Sequence, residues 1–158
     1  MPIEIERKFL VNTSVWKPLG LGEAYRQGYI CSSNKRIVRV RIAGERAFLC
    51  VKSVDDDSSG VVRREFEYQI PVNDAEELLE LYCKKPFVEK TRHKETHNGK
   101  LWEIDVFHGE NDGLVVAEVE LASEGEDIDL PSFVGREVST DQRYFNASLQ
   151  KNPFIKWR

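Results

Sequence analysis

IEIERKFLV, residues 3–11, places Glu4, Glu6 and Lys8 at every second position, while Ile3, Ile5, Phe9 and Val11 hold most of the positions between. Successive side chains of a β-strand point to opposite faces, so this stretch makes a strand with one charged face and one mostly apolar face. A lone strand of that kind suits a surface hairpin with its charges in water. The alternation says more only if other strands repeat it with charges of opposite sign.

The same period-two pattern and β-rich composition predict eight strands, near residues 3–11, 24–30, 35–43, 46–53, 61–70, 87–97, 100–108 and 114–122. Turn formers in AGE, residues 43–45, and HNGK, residues 97–100, predict antiparallel hairpins, and DDDSSG, residues 55–60, reads as a polar, mobile loop. Asn73 with Glu76 resembles a capping box ahead of AEELLELYCKK, a helix that must stop at Pro86. Ser139 with Gln142 offers a second cap before DQRYFNASLQ, where Tyr144, Ala147 and Leu149 supply the stripe of a terminal helix. Pro18 limits residues 14–20 to a short turn.

At 158 residues, with 41% hydrophobic and 32% charged side chains, the chain suits one folded domain over residues 1–158 rather than a disordered tail. Its net charge of −4 argues against a generally basic surface for nucleic acid or membrane, though not against a local basic cavity. Cys31, Cys50 and Cys83 have no CxxC spacing and point to a reducing cytoplasm. His93 and His97 would be paired ligands on a helix, but they fall in a predicted strand that separates them by about 13 Å. No apolar signal segment opens the chain, and no stretch has transmembrane length.

The charged face recurs. Arg39 and Arg41 oppose Val38, Val40 and Ile42, and Lys52 opposes Leu49 and Val51. Arg63, Glu65 and Glu67 alternate with Phe66, Tyr68 and Ile70, while Lys90, Arg92 and Lys94 share one face. Glu103 and Asp105 oppose Trp102, Ile104 and Val106; Glu118 and Glu120 oppose Ala117, Val119 and Leu121. With Glu4, Glu6 and Lys8 these faces carry eight acids and eight bases. An antiparallel sheet with one solvated face accommodates them, and so does a closed barrel with the charges turned into a wet lumen. The repeated Glu-x-Glu pairs favour the lumen, because like charges about 7 Å apart on one face repel unless cations or bases lie between them. Such a lumen suits divalent metal on carboxylates beside phosphate oxygens on guanidinium and ammonium groups. In the absence of a P-loop, strand-borne bases would replace the glycine-rich phosphate cradle.

On EIERK, RVR, CVK, EFE, EKTR, EID and EVE in that order, and on the closing GREVSTDQRYFNASL, the chain resembles the CYTH superfamily, or triphosphate tunnel metalloenzymes, over nearly its whole length. The resemblance implies a predominantly β (α+β) fold: an eight-stranded antiparallel closed tunnel with a charged lumen and peripheral helices, one of them C-terminal. It looks most like the bacterial tripolyphosphatases, which implies hydrolysis of inorganic tripolyphosphate to pyrophosphate and phosphate with Mg2+ or Mn2+, two ions entering with substrate. Thiamine or nucleoside triphosphate hydrolysis, a class IV adenylate cyclase and a noncatalytic polyphosphate-binding module are the alternatives.

By the same resemblance Lys8, Arg39, Arg41, Lys52, Lys90 and Arg92 hold phosphates, and Glu4, Glu6, Glu65, Glu67, Glu118 and Glu120 surround the metals, with Asp105 a further candidate. Glu103, Arg63 and Lys94 read as counter-ions nearer the rim, and Arg143 as either a tunnel cap or a solvated side chain. AYRQGYI resembles the family strand that supplies a functional tyrosine, which makes Tyr29 and Lys52 the expected proton-transfer or water-positioning pair.

Overall fold

β1 (Ile3–Val11) has strand partners on both edges, and this closes the sheet. The structure, a computed structural model, describes residues 3–33, 36–54 and 62–157, so the loop expected at 55–60 lies outside the described residues. Beyond β1 run β2 (Glu23–Ser33), β3 (Arg36–Ala43), β4 (Arg46–Val54), β5 (Val62–Ile70), α1 (Val72–Tyr82), β6 (Val88–His97), β7 (Lys100–Phe107), β8 (Val115–Glu120), β9 (Val134–Glu137) and α2 (Asn146–Lys151). The sheet order is β5-β4-β3-β2-β6-β7-β8-β1-β9, with an added β5–β1 pairing.

On one edge β1 pairs with β8 from Glu6↔Glu120 to Leu10↔Val116. On the other, Ile3↔Arg64, Glu4↔Arg63 and Ile5↔Val62 join it to β5. Eight antiparallel strands thus form a closed barrel, and the period-two charges of β1 and its neighbours fall on the lumen side. The expected hairpins are present: Gly44 at φ 61 joins β3 to β4, and Asn98 and Gly99 at φ 52 and 78 join β6 to β7.

Apolar outward faces need cover. Ala75 and Leu79 of α1 pack with Val40, Ile42 and Ala47. At Gly28 of β2 an added Cβ would stand 2.9 Å from Leu79 Cδ2 and Cys83 Cβ, so the small residue lets this layer sit close. The segments before β2 and β9 bring Trp16 and Phe133 onto Phe9, Trp102, Ile104, Ala117 and Val119. One end of the barrel is sealed by Tyr144 and Leu149, packed with Tyr29, Ile37, Val88 and Phe107. Among the described residues no helix is long and apolar enough to cross a membrane.

Three local expectations are corrected. α1 starts after Pro71 without a side-chain cap, which puts Asn73 inside the first turn instead of ahead of it, and the helix ends at Tyr82, before Pro86. The terminal helix is broken: a 3₁₀ turn at Gln142–Tyr144, capped by Asp141, leads through extended Phe145 into α2. Ser139 is unavailable as a cap because its Oγ accepts the Lys8 amide at 2.9 Å and donates to Glu137 Oε2 at 2.6 Å. β9 escapes the alternation criterion, having only four residues. Its Gly135 lies where a Cβ would come 3.2 Å from the Leu10 carbonyl oxygen, so glycine admits the close pairing with β1.

Candidate active site

Inside the barrel lies a narrow cavity of about 50 Å³ where five carboxylates (Glu4, Glu6, Glu65, Glu103, Glu118) face five bases (Lys8, Arg39, Arg41, Lys52, Arg92). Asn146, the first residue of α2, closes it from the C-terminal side. The opposite mouth is an acidic groove that includes Ile3, Glu4, Glu65, Glu67 and Glu120. Two lysines tie down the sealed end: Lys8 Nζ donates to the Tyr144 carbonyl at 3.2 Å, and Lys90 Nζ to Asn146 Oδ1 at 3.3 Å.

Carboxyls meet in pairs. Burial, a hydrogen bond with Glu65 and the Glu6 charge push Glu4 up to about 9. Burial works the same way on Glu65, but its bond with Glu4 and the charges of Lys52 and Arg39 bring it down to about 2. Burial and Glu118 raise Glu6 to about 7. Glu118 itself is buried, yet Lys8, Arg92 and Lys90 hold it well below the usual carboxylate range. Near neutral pH the Glu4–Glu65 pair therefore keeps one proton and the Glu6–Glu118 pair is partly protonated, since the second ionisation of two adjacent buried carboxyls is disfavoured. Glu4 Oε2 is buried without a hydrogen-bond partner. A hard divalent cation fits this setting, because it takes oxygen ligands and replaces the shared protons.

Among the described residues, Cys50, Glu65 and Glu67 each place one ligand atom within 4.8 Å of the others, a candidate metal cluster on the barrel wall. Burial pushes the Cys50 thiol up to about 11. Glu65 and Glu67 are the members suited to a hard ion, with the protonated sulfur a poor ligand for it.

The bases are already engaged. Arg39 Nη2 lies 3.3 Å from Glu67 and 3.8 Å from Glu65, while its Nε is buried without a partner, as a site for an anion would have it. Lys52 Nζ stands 3.8 Å from Glu4 and 3.6 Å from Glu65, and Lys8 Nζ 3.6 Å from Glu118. Arg41 donates from Nε to Gln27 Oε1 at 2.9 Å; burial and the charges of Arg39 and Arg92 lower it to about 10.

Asp105 and Lys90, placed by the sequence among the metal and phosphate ligands, sit behind the cavity wall. Asp105 is fully buried, accepting from Arg92 Nε at 2.8 Å and Nη2 at 2.9 Å, with Lys90 Nζ at 2.7 Å. Burial alone would raise it, but these two cations hold it at about 2, and both its oxygens are taken up by them, so it anchors bases. Arg92 also donates from Nη1 to Glu103 Oε2 at 3.3 Å. Glu120 and Lys94 are exposed, and the Arg63 side chain lies outside the described residues. Arg143 is held by Asp141 at 2.7 Å and stacks on Tyr144 and Trp157, outside the lumen.

Tyr29 and Lys52 line one narrow cavity with Arg39 and Asn146 but make no direct hydrogen bond. The Tyr29 ring is core, packed with Ile37 and Val88. Its hydroxyl accepts from Gln27 Nε2 at 2.8 Å. Gln27, Cys50 and Asn146 are site residues that the charge pattern passes over. Gln27 and Cys50 were reachable, lying two positions from Tyr29 and Lys52 on the same strand faces. Asn146 enters only through the docking of α2.

Comparison with known proteins places this geometry in a family context. The CYTH domain profile matches residues 2–151. The chain is 47% identical over 155 residues to an inorganic triphosphatase of Acetivibrio thermocellus, covering 98% of this chain and 97% of that one. It is 39% identical over 152 residues to an inorganic triphosphatase of Nitrosomonas europaea, covering 92% and 95%. A crystal structure of an inorganic triphosphatase superposes with a TM-score of 0.66 at 35% identity, covering 95% of each chain.

Proposed function

The chain belongs to the CYTH domain family, and we propose that it is a divalent-metal-dependent triphosphatase that hydrolyses inorganic tripolyphosphate to pyrophosphate and phosphate. The observation that carries this reading is the barrel cavity in which proton-sharing carboxyl pairs face five strand-borne bases. The full-length likeness to two inorganic triphosphatases supports it.

Mg2+ or Mn2+, two ions entering with substrate, would be held by Glu4, Glu6, Glu65, Glu67, Glu118 and Glu120, and would supply charge neutralisation and a polarised water. Lys8, Arg39, Arg41, Lys52 and Arg92 grip the phosphate oxygens, and Lys90 fixes Asp105 and Asn146 behind them. The water oxygen attacks the terminal phosphorus in line, the bridging P–O bond breaks, and pyrophosphate leaves with the electron pair. Burial and the Arg39 charge lower Lys52, so its neutral amine is available to take the proton that the water gives up. Tyr29 orients that water or the amine. A cytoplasmic setting and a small-molecule partner, with no nucleic acid, fit the buried thiols Cys50 and Cys83 and the net charge of −4.

The test is phosphate release by the purified chain with Mg2+ or Mn2+, each product identified, from tripolyphosphate, ATP and thiamine triphosphate. Tripolyphosphate is expected to be cleaved fastest, giving pyrophosphate and phosphate in equal amounts. Cyclic AMP from ATP would make the chain a cyclase, and binding without release would make it a polyphosphate-binding module.

The carboxyl pairs also set a pH dependence. Glu4 and Glu6 are raised from an ordinary 4.5 to about 9 and about 7, so the folded metal-free chain holds protons that the unfolded chain has lost. The contribution of these two carboxyls to metal-free stability therefore falls as pH rises from 4.5 through those values, by about 1.4 kcal/mol per pH unit for each such proton, and above about 7 the lowered Lys90 works against that fall. These carboxyls must shed their protons to hold a cation, so the stabilisation by Mg2+ grows over the same window. Melting temperatures with and without saturating Mg2+ are expected to diverge between pH 6 and pH 9. A constant gap would remove the shared protons from the account.

A further inference from the structure

Gln27 is fully buried in β2, on the face it shares with Tyr25 and Tyr29, and its side-chain amide is used at both ends. Nε2 donates to Tyr29 Oη at 2.8 Å, and Oε1 accepts from Arg41 Nε at 2.9 Å. The orientation is forced, because the flipped amide would set its NH2 group against the Arg41 N–H. Two consequences follow from donor and acceptor bookkeeping alone. Arg41 spends Nε on Gln27, which leaves its two terminal nitrogens for the cavity it lines, with the guanidinium carbon over the Tyr25 ring, 5.0 Å from the centroid. Tyr29 accepts from Gln27, so its own proton is free to point into the narrow space shared with Lys52 and Asn146.

We propose that Gln27 is a positioning residue for the reaction: it locks the Arg41 fork in a phosphate-facing orientation and turns the Tyr29 hydroxyl proton toward the reacting end of the triphosphate. This rests on the triphosphatase reading. Arg41 needs such a hold, since Arg39 and Arg92 repel it and a neutral carbonyl is the acceptor it has on this side. A guanidinium locked in this way loses little freedom when it grips phosphate bidentately.

Two substitutions separate the halves of the role. Gln27→Leu fills the same space and removes both bonds. It is expected to raise KM for tripolyphosphate about tenfold, as the loss of one fixed charge-assisted contact implies, and to lower kcat as well. Gln27→Glu still accepts from Arg41 Nε but cannot donate to Tyr29, which must then give its proton to the new carboxylate. Its KM should return close to that of the parent while kcat stays low, and adding Tyr29→Phe to it should cost little more. A packing role would move both variants together through stability and would show no such split. Equal KM in Gln27→Leu and the parent, or a Gln27→Glu variant that shares the KM defect of Gln27→Leu, overturns the proposal.

A readout that needs no substrate keeps the two readings apart. The Arg41 Nε–H resonance of the ligand-free protein should be protected from solvent exchange in the parent and in Gln27→Glu, and exposed in Gln27→Leu. Protection lost in Gln27→Leu, in a parent that cleaves no tripolyphosphate, would sink the triphosphatase reading and leave Gln27 as the Arg41 lock. An unprotected parent resonance would sink the lock itself.

Discussion

Glu4→Gln and Glu6→Gln are each expected to reduce metal-dependent tripolyphosphate hydrolysis by more than about a hundredfold, the scale set by losing a charged ligand at a phosphoryl-transfer site. The fold should survive. Near neutral pH both side chains already share protons with Glu65 and Glu118, so an amide of the same size reproduces the neutral, hydrogen-bonding member of each pair. What the amide cannot do is become an anion when a cation arrives. The melting temperature without metal should stay level or rise slightly, while the increase on adding Mg2+ shrinks. Activity in both variants that matches the parent at limiting Mg2+ would take Glu4 and Glu6 out of the metal site. A collapse in metal-free melting temperature would make them structural instead.

Lys52→Arg is expected to lose nearly as much turnover, although it keeps the positive charge. Lys52 Nζ stands between Glu4 and Glu65, at 3.8 and 3.6 Å, so its compact ammonium serves carboxylate and phosphate from one point. Burial and the Arg39 charge lower its proton affinity, whereas bound phosphate raises it again. A neutral fraction that accepts the water proton makes hydrolysis rise with pH through the Lys52 ionisation, and a guanidinium has no such fraction in this range. Single-turnover rates across pH, with metal saturating, should show the rising limb in the parent and none in Lys52→Arg. Substrate binding should change less than turnover. If Lys52→Arg turns over like the parent with the same pH profile, Lys52 is a phosphate clamp and the proton goes elsewhere. Tyr29→Phe removes only a hydroxyl whose ring is held by the core. It should lower turnover by a smaller factor and leave melting nearly unchanged.

Strand identity and facing were legible in the linear chain because a β-strand translates residue parity directly into side-chain direction. IEIERKFLV, RIVRVRI and VVAEVE therefore announced which charges would share a face, and AGE and HNGK announced the antiparallel turns. Parity cannot tell a solvated face from a lumen. That difference lies in three residue pairs between β1 and β5, which join elements about sixty positions apart, and no local pattern encodes such a closure.

Partner choice within the lumen was also beyond parity. Asp105 and Glu103 have the same chemistry and the same face, yet Asp105 lies between Lys90 and Arg92 and is fully buried, while Glu103 borders the cavity. Depth along a tilted strand separates them, and tilt is a property of the closed barrel. The C-terminal segment shows the same division. Its apolar stripe predicts a helix, but the chain breaks at Phe145, and the docked turn supplies the Tyr144 carbonyl to Lys8 and the Asn146 side chain to Lys90. Residue types and spacing thus specified the chemistry on offer: carboxylates and bases in alternation. Closure, tilt and the docking of α2 determined which of those groups share protons, which are neutralised behind the wall and which remain for a ligand, because burial and distance set those energies and both arise between elements remote in sequence.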